Sequence, residues 1–136
     1  MLGFLDRFEG QAYALMRIVA GFLFLCHGAQ KLFGFPAAAR EGTPAWITYG
    51  AGPIEFFGGL LILIGLFTRP AAFLTSGCMA VAYWLAHGSQ ALFPLNNGGE
   101  LAALYCFVFL FIACRGAGMW SVDGLRRGAV PSVNRP

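Results

Sequence analysis

Four long apolar segments run along the chain, separated by short stretches rich in polar residues, glycine or proline. A helix rises about 1.5 Å per residue, so about 20 apolar residues cross a hydrocarbon core of about 30 Å. The last segment reaches that length only if its helix continues past Arg115 towards Trp120, with the Arg115 side chain snorkelling to the surface. The pattern therefore predicts an all-α, integral membrane four-helix bundle. Its spans cover about residues 12–33, 49–67, 70–87 and 100–117.

The breaks between these segments carry helix start and stop signals. Gly34 and Pro36 end the first helix, and Pro53 suits the first turn of the second. Thr68 is interpreted as the N-cap of the third helix, which makes the second and third helices a tight antiparallel hairpin. Residues 95–99 are predicted to form a loop in which Asn97 caps the fourth helix.

The composition supports a single membrane domain over residues 1–136. Only 11% of the residues are charged, against about 25% in a soluble domain. The 19 glycines fit membrane helices, which pack closely at small residues. No basic run resembles a nucleic-acid footprint, so nucleic acid is excluded as a partner and the lipid bilayer is expected. A signal-peptidase site is suggested at residues 37–39, but charged groups interrupt the preceding apolar run and argue against cleavage.

The distribution of basic residues predicts the orientation. With four spans, the N-terminus, the turn at Arg69 and the C-terminal tail lie on the same side. That side carries most of the arginines: Arg7, Arg69, Arg115, Arg126, Arg127 and Arg135. The opposite loops contain Arg40, with Lys31 at the end of the first helix. Because basic loops stay on the inner side, both termini are predicted to be cytoplasmic.

Six ionisable residues lie in or at the edges of the apolar segments: Arg17, His27, Lys31, Glu55, His87 and Glu100. Such groups are costly in a bilayer and normally face the interior of a bundle. The predicted topology brings all of them except Arg17 to a similar height near the outer surface. They are therefore predicted to line one outward-facing polar pocket. Arg17 lies about 15 Å further in and is expected to bind inner phosphates or Asp123.

Small residues recur on the predicted inner faces of the first two helices. One stripe on the first helix follows steps of three and four residues: Arg17, Gly21, Phe24, Gly28 and Lys31. On the second helix, Glu55 shares a face with Gly58 and Gly59. Helices that meet at glycines approach closely. We therefore predict that Lys31 meets Glu55 in the bundle interior, either to fix the helix register or to tune a proton acceptor.

The four cysteines give no sign of a metal site or a dithiol motif. Cys26, Cys78, Cys106 and Cys114 lie in apolar surroundings without the spacing of metal ligands. Buried cysteine usually behaves as a small hydrophobic residue. No metal is therefore expected, and a redox role for Cys26 or Cys106 is the alternative.

Three groups of residues resemble the DoxX family. They are Arg17 to Gly21 followed by His27-Gly28-Ala29-Gln30-Lys31, then Glu55-Phe56-Phe57-Gly58-Gly59, then Gly98-Gly99-Glu100 followed by Leu104-Tyr105. The resemblance covers about residues 17–115. It implies a small bacterial inner-membrane protein with four helices. It also implies a link to membrane redox metabolism, through thiosulfate oxidation coupled to quinone, tolerance of quinone-like compounds, or oxidative stress.

The first functional hypothesis is a quinone-linked redox component. Histidine and carboxylate are the usual proton-transfer groups, so His27 and Glu55 are the candidate catalytic residues. Four further residues are candidates for substrate binding: Lys31, Glu100, His87 and Tyr105. Arg17 and the four glycines of the stripes are assigned structural roles. Because the sequence has no flavin or nucleotide signature, the electrons are expected to come from a membrane or peripheral redox partner.

Three other functions are compatible with the same residues. The chain could be a non-catalytic membrane subunit that anchors or stabilises a larger complex. It could be a small solute carrier in which Lys31 and His27 bind the solute. A bis-histidine haem site at His27 and His87 is the weakest alternative, because His87 lies at a helix end. A quinone is thus the candidate cofactor, and haem is not expected.

Overall fold

The computed structural model describes residues 3–38 and 42–128, and this part of the chain is helical without a β-strand. The all-α prediction is therefore confirmed. A 3-10 turn precedes the first α-helix, and π-helical segments extend the second helix at its start and the third at its end. The α-helices are α1 (Glu9–Phe33), α2 (Gly52–Ile64), α3 (Thr68–Ala82), α4 (Pro94–Asn97), α5 (Glu100–Arg115) and α6 (Val122–Gly128). The added segments are Gly3–Phe8, Ile47–Ala51 and Tyr83–Gly88.

The helices α1, α2, α3 and α5 pack as an antiparallel bundle around an aromatic and aliphatic core. The largest apolar side chains without solvent contact are Phe24, Ile62, Phe109 and Ile112. Many other large apolar side chains point outward along every helix, including Phe22, Phe57, Phe73 and Phe107. An apolar belt of this extent is an aggregation hazard in water, whereas lipid solvates it.

Two helical segments within the described residues are long and apolar enough to cross a membrane. They are Gly3–Phe33 and Ile47–Ile64. Each joins an α-helix to the 3-10 or π-helical residues that precede it, so the continuous helix is longer than the α-helical part alone. The first predicted span, 12–33, therefore lies within a continuous helix of sufficient length, and the second, 49–67, matches such a helix except for its last three residues, which follow the helix end at Ile64.

Close contacts at glycine hold α1 against α2. A Cβ atom added to Gly21 would lie 2.6 Å from the backbone nitrogen of Leu63. A Cβ atom at Gly28 would overlap the backbone of Phe56, and one at Gly59 would overlap the backbone of α1. The predicted stripes are confirmed at these three positions. Gly58 differs, because it faces the Thr75 side chain of α3 rather than α1.

Replacing Gly28 with alanine is expected to destabilise the bundle, because the added methyl group must push α1 away from α2. Overpacking of this kind typically costs about 1–3 kcal/mol. The measurement is the free energy of unfolding in mixed detergent micelles. Gly77→Ala is the matched control, since Gly77 is also helical and has open space around it. An equal loss of stability in both variants would contradict the packing role of Gly28.

The start of α3 is capped by a residue distant in the sequence. Thr68 is the first residue of α3, so the prediction that it is the N-cap is wrong. The carboxylate of Asp123 in α6 instead accepts hydrogen bonds from the backbone nitrogens of Phe67 (3.1 Å) and Thr68 (2.9 Å) and from the Thr68 hydroxyl (2.9 Å). Partial burial pushes the pKa of Asp123 up, but these hydrogen bonds outweigh it and hold the pKa below its usual value.

The end of α5 also differs from the prediction. The helix ends at Arg115 because Gly116 has a φ of 91°, so the proposed extension through residue 117 to Trp120 is wrong. The guanidinium group of Arg69 donates to the last three carbonyls of the helix, those of Ala113 (3.0 Å), Cys114 (2.6 Å) and Arg115 (3.2 Å). Arg69 thereby satisfies acceptors that have no partner within the helix.

Arg17 performs a similar task for α2. Its side chain is fully buried and donates to the carbonyls of Ile62 (2.7 Å) and Leu63 (2.8 Å) near the end of α2. The same guanidinium group donates to the carbonyls of Met119 (3.3 Å) and Trp120 (2.7 Å) in the loop after α5. The structural role predicted for Arg17 therefore has a different basis, since backbone carbonyls and not Asp123 accept its hydrogen bonds. We call the end of the bundle that contains Arg17, Arg69 and Arg115 the arginine end.

Candidate functional site

At the opposite end of the bundle, Lys31 and Glu55 form an ion pair. Lys31 lies in the last turn of α1 and Glu55 in the first turn of α2. The ammonium group of Lys31 donates to both carboxylate oxygens of Glu55. The contact at Gly28 brings these two helix ends together, as the sequence predicted. The two side chains differ in burial, because 25% of the Lys31 side chain is exposed but only 3% of the Glu55 side chain is.

The ion pair lies in the wall of a cavity of about 750 Å³. Side chains of α1, α2, α3 and α5 contribute to the cavity, and residues 42–48 cover part of it. Its inner part is apolar and aromatic, formed by Phe24, Met79 and Tyr105. The polar and charged side chains of its wall are His27, Gln30, Lys31, Thr43, Thr48, Glu55, His87, Gln90 and Asn97. A volume in this range suits a small organic molecule.

His27 and Tyr105 are neighbouring residues in the cavity wall. Their rings meet edge to face, with centroids 6.3 Å apart and an angle of 84° between the planes. Tyr105 also stacks on Phe109, with centroids 5.4 Å apart. Within residues 3–38 and 42–128, neither the His27 ring nitrogens nor the Tyr105 hydroxyl has a hydrogen-bond partner. Both groups are therefore free to bind a ligand through hydrogen bonds.

His87 also lines the cavity, but one of its ring nitrogens is engaged. Its Nδ1 lies 2.9 Å from the backbone carbonyl oxygen of Asn97. Because a carbonyl only accepts, Nδ1 carries the proton in this contact and Nε2 is the nitrogen left for a ligand. The contact joins the π-helical end of α3 to α4 within the cavity wall.

Glu100 is not part of this site. It is exposed as the first residue of α5, and the cavity is lined instead by the next two residues, Leu101 and Ala102. The predicted height of Glu100 along the bundle is consistent with the position of the cavity. However, successive helical residues point about 100° apart, so a residue at the correct height can face away from the cavity.

Asn97 is an organising residue that sequence reasoning assigned only to helix capping. The predicted loop contains the short helix α4, and Asn97 is buried at its end. Its side-chain nitrogen donates to the Ala91 carbonyl (2.9 Å) and its side-chain oxygen accepts from the Gly99 nitrogen (2.8 Å). The Asn-Asn-Gly-Gly sequence signals a turn but does not reveal that the turn builds a cavity wall. The covering segment with Trp46 and Thr48 was likewise not predicted.

The four cysteines are free thiols, of which Cys26, Cys78 and Cys106 are half-buried and Cys114 is exposed. Cys106 lies against α3, where its backbone carbonyl accepts a hydrogen bond of 2.8 Å from the Ser76 hydroxyl. None of the four is among the residues that line the cavity. The geometry therefore gives no support to a redox role for Cys26 or Cys106.

An apolar helical bundle with candidate membrane spans and a polar cavity at one end defines a small membrane protein. The DoxX family model matches residues 12–88. The chain belongs to the DoxX family. This match contains the Arg17 to Gly21, His27 to Lys31 and Glu55 to Gly59 groups, so the predicted family resemblance is confirmed, while the third group, residues 98–105, lies outside the match.

Three relatives give the extent of the similarity. A Haemophilus influenzae protein named "Uncharacterized protein" is 39% identical over 125 residues, which cover 88% of this chain and 93% of the relative. The Escherichia coli "Inner membrane protein YqjF" is 28% identical over 134 residues, 89% of this chain and 96% of the relative. The Bacillus subtilis "Putative oxidoreductase CatD" is 34% identical over 59 residues, 40% of this chain and 44% of the relative. No solved structure matches this chain significantly.

Proposed function

We propose that the chain is the membrane component of a quinone-linked redox system and that its cavity binds the quinone head group. The observation that carries this proposal is the combination of the Lys31–Glu55 ion pair, in which Glu55 is buried, with free polar groups of His27 and Tyr105 around one cavity. A quinone head group is planar and apolar with two carbonyl acceptors. It needs hydrogen-bond donors at its edges and apolar contacts at its faces.

Each residue has a distinct role in this proposal. Lys31, the Tyr105 hydroxyl and the N–H of the His27 ring donate hydrogen bonds to the quinone oxygens, and Phe24 packs against the ring. Reduction to the quinol consumes two electrons and two protons. A redox protein partner supplies the electrons, while His27 and Glu55 deliver protons. Glu55 is suited to this task because its small exposure separates it from bulk water, and Lys31 controls its charge.

The names of two relatives support the proposed redox role and the proposed location. The word oxidoreductase in the name of the Bacillus subtilis relative agrees with a redox role, over the 59 residues that the two proteins share. The name of the Escherichia coli relative agrees with a location in the bacterial inner membrane. We extend both to this chain as part of the proposal.

The proposed topology has four spans, with the arginine end on the cytoplasmic side. It is supported by the arginines at this end and by the antiparallel order of α1, α2, α3 and α5. The measurement is thiol labelling of a variant without native cysteines. A cysteine at Ser89 should react with an impermeant maleimide in intact cells, and a cysteine at Arg126 only after permeabilisation. The opposite pattern would place the cavity on the cytoplasmic side.

The binding proposal is tested by isothermal titration of a water-soluble benzoquinone into the protein in lipid nanodiscs. His27→Ala should weaken binding by about tenfold, the equivalent of one lost hydrogen bond of about 1.4 kcal/mol. Glu100→Gln is the matched control, because it removes a charge at the same end without touching the cavity. Absence of quinone binding in the native protein would favour the non-catalytic subunit. Binding of an inorganic anion instead would favour the solute carrier.

A further inference from the structure

The contact between α1 and α5 differs in kind from the contact between α1 and α2. Glycines bring the backbones of α1 and α2 together, whereas aromatic rings separate α1 from α5. The Phe24 ring lies 4.7 Å from the Phe109 ring and 5.5 Å from the Tyr105 ring, between centroids. Aromatic rings on flexible side chains can rotate without breaking backbone contacts. The line of contact between α1 and α5, which we call the seam, is therefore the easier one to open.

At the arginine end, a hydrogen bond and an ion pair connect α1 with α5 and the loop after it. The Tyr13 hydroxyl of α1 donates a hydrogen bond to the carbonyl of Gly116 after α5. The guanidinium group of Arg115 lies 2.7 Å from the Glu9 carboxylate and 4.7 Å from the centre of the Tyr13 ring. At the other end, α1 and α5 meet through aromatic rings, the last of which along α1 is the edge-to-face pair of His27 and Tyr105. That end has no hydrogen bond or ion pair between the two helices in the part of the chain that the structure describes.

The cavity reaches the outer surface of the bundle beside this open end. Leu101 of α5 lines the cavity, yet 48% of the residue is exposed. Residues 42–48 also line the cavity, and Trp46 among them is 56% exposed, so the wall is exposed on that side as well. The contact between His87 and Asn97 joins the end of α3 to α4. The side of the bundle at Leu101 faces lipid if the helices span the membrane.

We propose that the ligand is an amphiphile whose apolar tail leaves the cavity through the seam into the lipid. This inference rests on the proposed function and narrows its substrate class to tailed, lipid-soluble quinones. The head group occupies the cavity between His27 and Lys31. The tail passes Leu101 between α1 and α5, and the His27 and Tyr105 rings separate to admit it. The hydrogen bond and the ion pair at the arginine end keep α1 and α5 together while the other end opens.

Two photoreactive benzoquinones test the route in the native protein reconstituted in liposomes. One carries an azide on the ring, and the other carries a diazirine at the end of a decyl chain. Labelled positions are mapped by mass spectrometry of the digested protein. The ring probe should label residues of the cavity such as His27 and Tyr105. The chain probe should label the lipid-facing residues beside the seam, with Leu101 of α5 as the exposed position that also lines the cavity.

The failures of the two proposals are distinguishable. If the ring probe does not label the cavity, the proposed quinone site is overturned. If the ring probe labels the cavity but the chain probe labels residues 42–48 or the outer face of α3, the quinone site stands and the lateral route is overturned. A competition experiment with an excess of a quinone that lacks a chain gives a second check. If this quinone displaces the ring probe but leaves the labelling by the chain probe unchanged, the chain probe reacts from the lipid and not from the cavity. The quinone site then stands and the lateral route is overturned.

A pair of variants gives an independent measurement of the same route. Leu101→Trp narrows the opening and should reduce labelling by the chain probe about tenfold, while labelling by the ring probe persists. Leu104→Trp is the matched control, because Leu104 is 61% exposed on the same helix but does not line the cavity. Equal labelling by the chain probe in both variants and in the native protein would overturn the lateral route.

Discussion

Glu55→Gln is expected to reduce quinone reduction by about 10²–10⁴-fold, the contribution typical of a positioned general acid or base. Glutamine keeps the size and the hydrogen-bonding oxygen of the side chain but cannot exchange a proton. Quinone binding should change little, because the polar atoms of His27 and Tyr105 remain. The bundle should also persist, since Lys31 retains an acceptor and one quarter of its side chain reaches solvent.

The measurement is quinone reduction by membrane vesicles from cells that express only the variant, so that the proposed electron-donating partner is present. Glu100→Gln is the matched control. Glu100 is an exposed carboxylate that does not line the cavity, and its replacement should leave the rate unchanged. Glu55→Asp keeps a titratable group and should recover part of the activity, although its shorter side chain lies further from Lys31.

Full activity in both Glu55→Gln and His27→Ala would contradict the proton-transfer role. In that case the ion pair serves only to hold α1 against α2, and the non-catalytic subunit becomes the better explanation. A fall in activity caused by lost protein is separated from this by size-exclusion chromatography and by the amount of protein in the membrane. The partial recovery in Glu55→Asp then distinguishes the loss of a proton carrier from a loss of packing.

The Lys31–Glu55 pair could be predicted from the sequence because the evidence for it is local. The spacing of Gly21, Gly28 and Lys31 follows the helical period, so their shared face can be derived without knowing the fold. Because consecutive membrane-spanning helices run in opposite directions, the end of the first helix then lies near the start of the second. The glycine faces of the two helices and the connection between them were therefore sufficient to predict the ion pair.

The helix caps could not be predicted in the same way. Asp123 accepts its hydrogen bonds from residues 55 and 56 positions earlier in the chain, and Arg69 reaches carbonyls 44 to 46 positions later. A local search for capping residues selects Thr68, which is adjacent to the helix start, and cannot detect a distant carboxylate. The prediction that Glu100 lines the pocket was wrong for a related reason. Its height followed from the topology, but the rotation of α5 about its axis depends on packing against α3.

The arginines contribute both to the orientation of the chain and to the capping of its helices. Their distribution along the chain predicted the cytoplasmic side through the known bias of basic loops. In the structure, Arg17 and Arg69 also donate to carbonyls at the ends of α2 and α5, where the helix dipole favours a positive charge. A bilayer offers few alternative donors for these carbonyls, so the buried Arg17 and the more exposed Arg69 substitute for water there.

Lys31→Met is expected to destabilise the bundle by about 3–5 kcal/mol, because it leaves the Glu55 carboxylate buried without a counterion. The reverse change, Glu55→Leu, should cost less. It leaves an unpaired lysine, but Lys31 is more exposed and its long side chain can extend to the surface. The asymmetry follows from the difference in burial between the two partners. The measurement is reversible unfolding in mixed detergent micelles, followed by circular dichroism.

The double variant Lys31→Met and Glu55→Leu provides the decisive comparison. Replacing both charges with apolar side chains removes the ion pair and also the cost of burying it, so the double variant should recover most of the stability lost in Lys31→Met. A double variant as unstable as Lys31→Met would mean that the pair is a major source of folding energy. Recovery of stability without recovery of quinone binding would instead indicate that the two charges are retained for the ligand, because the bundle can fold without them.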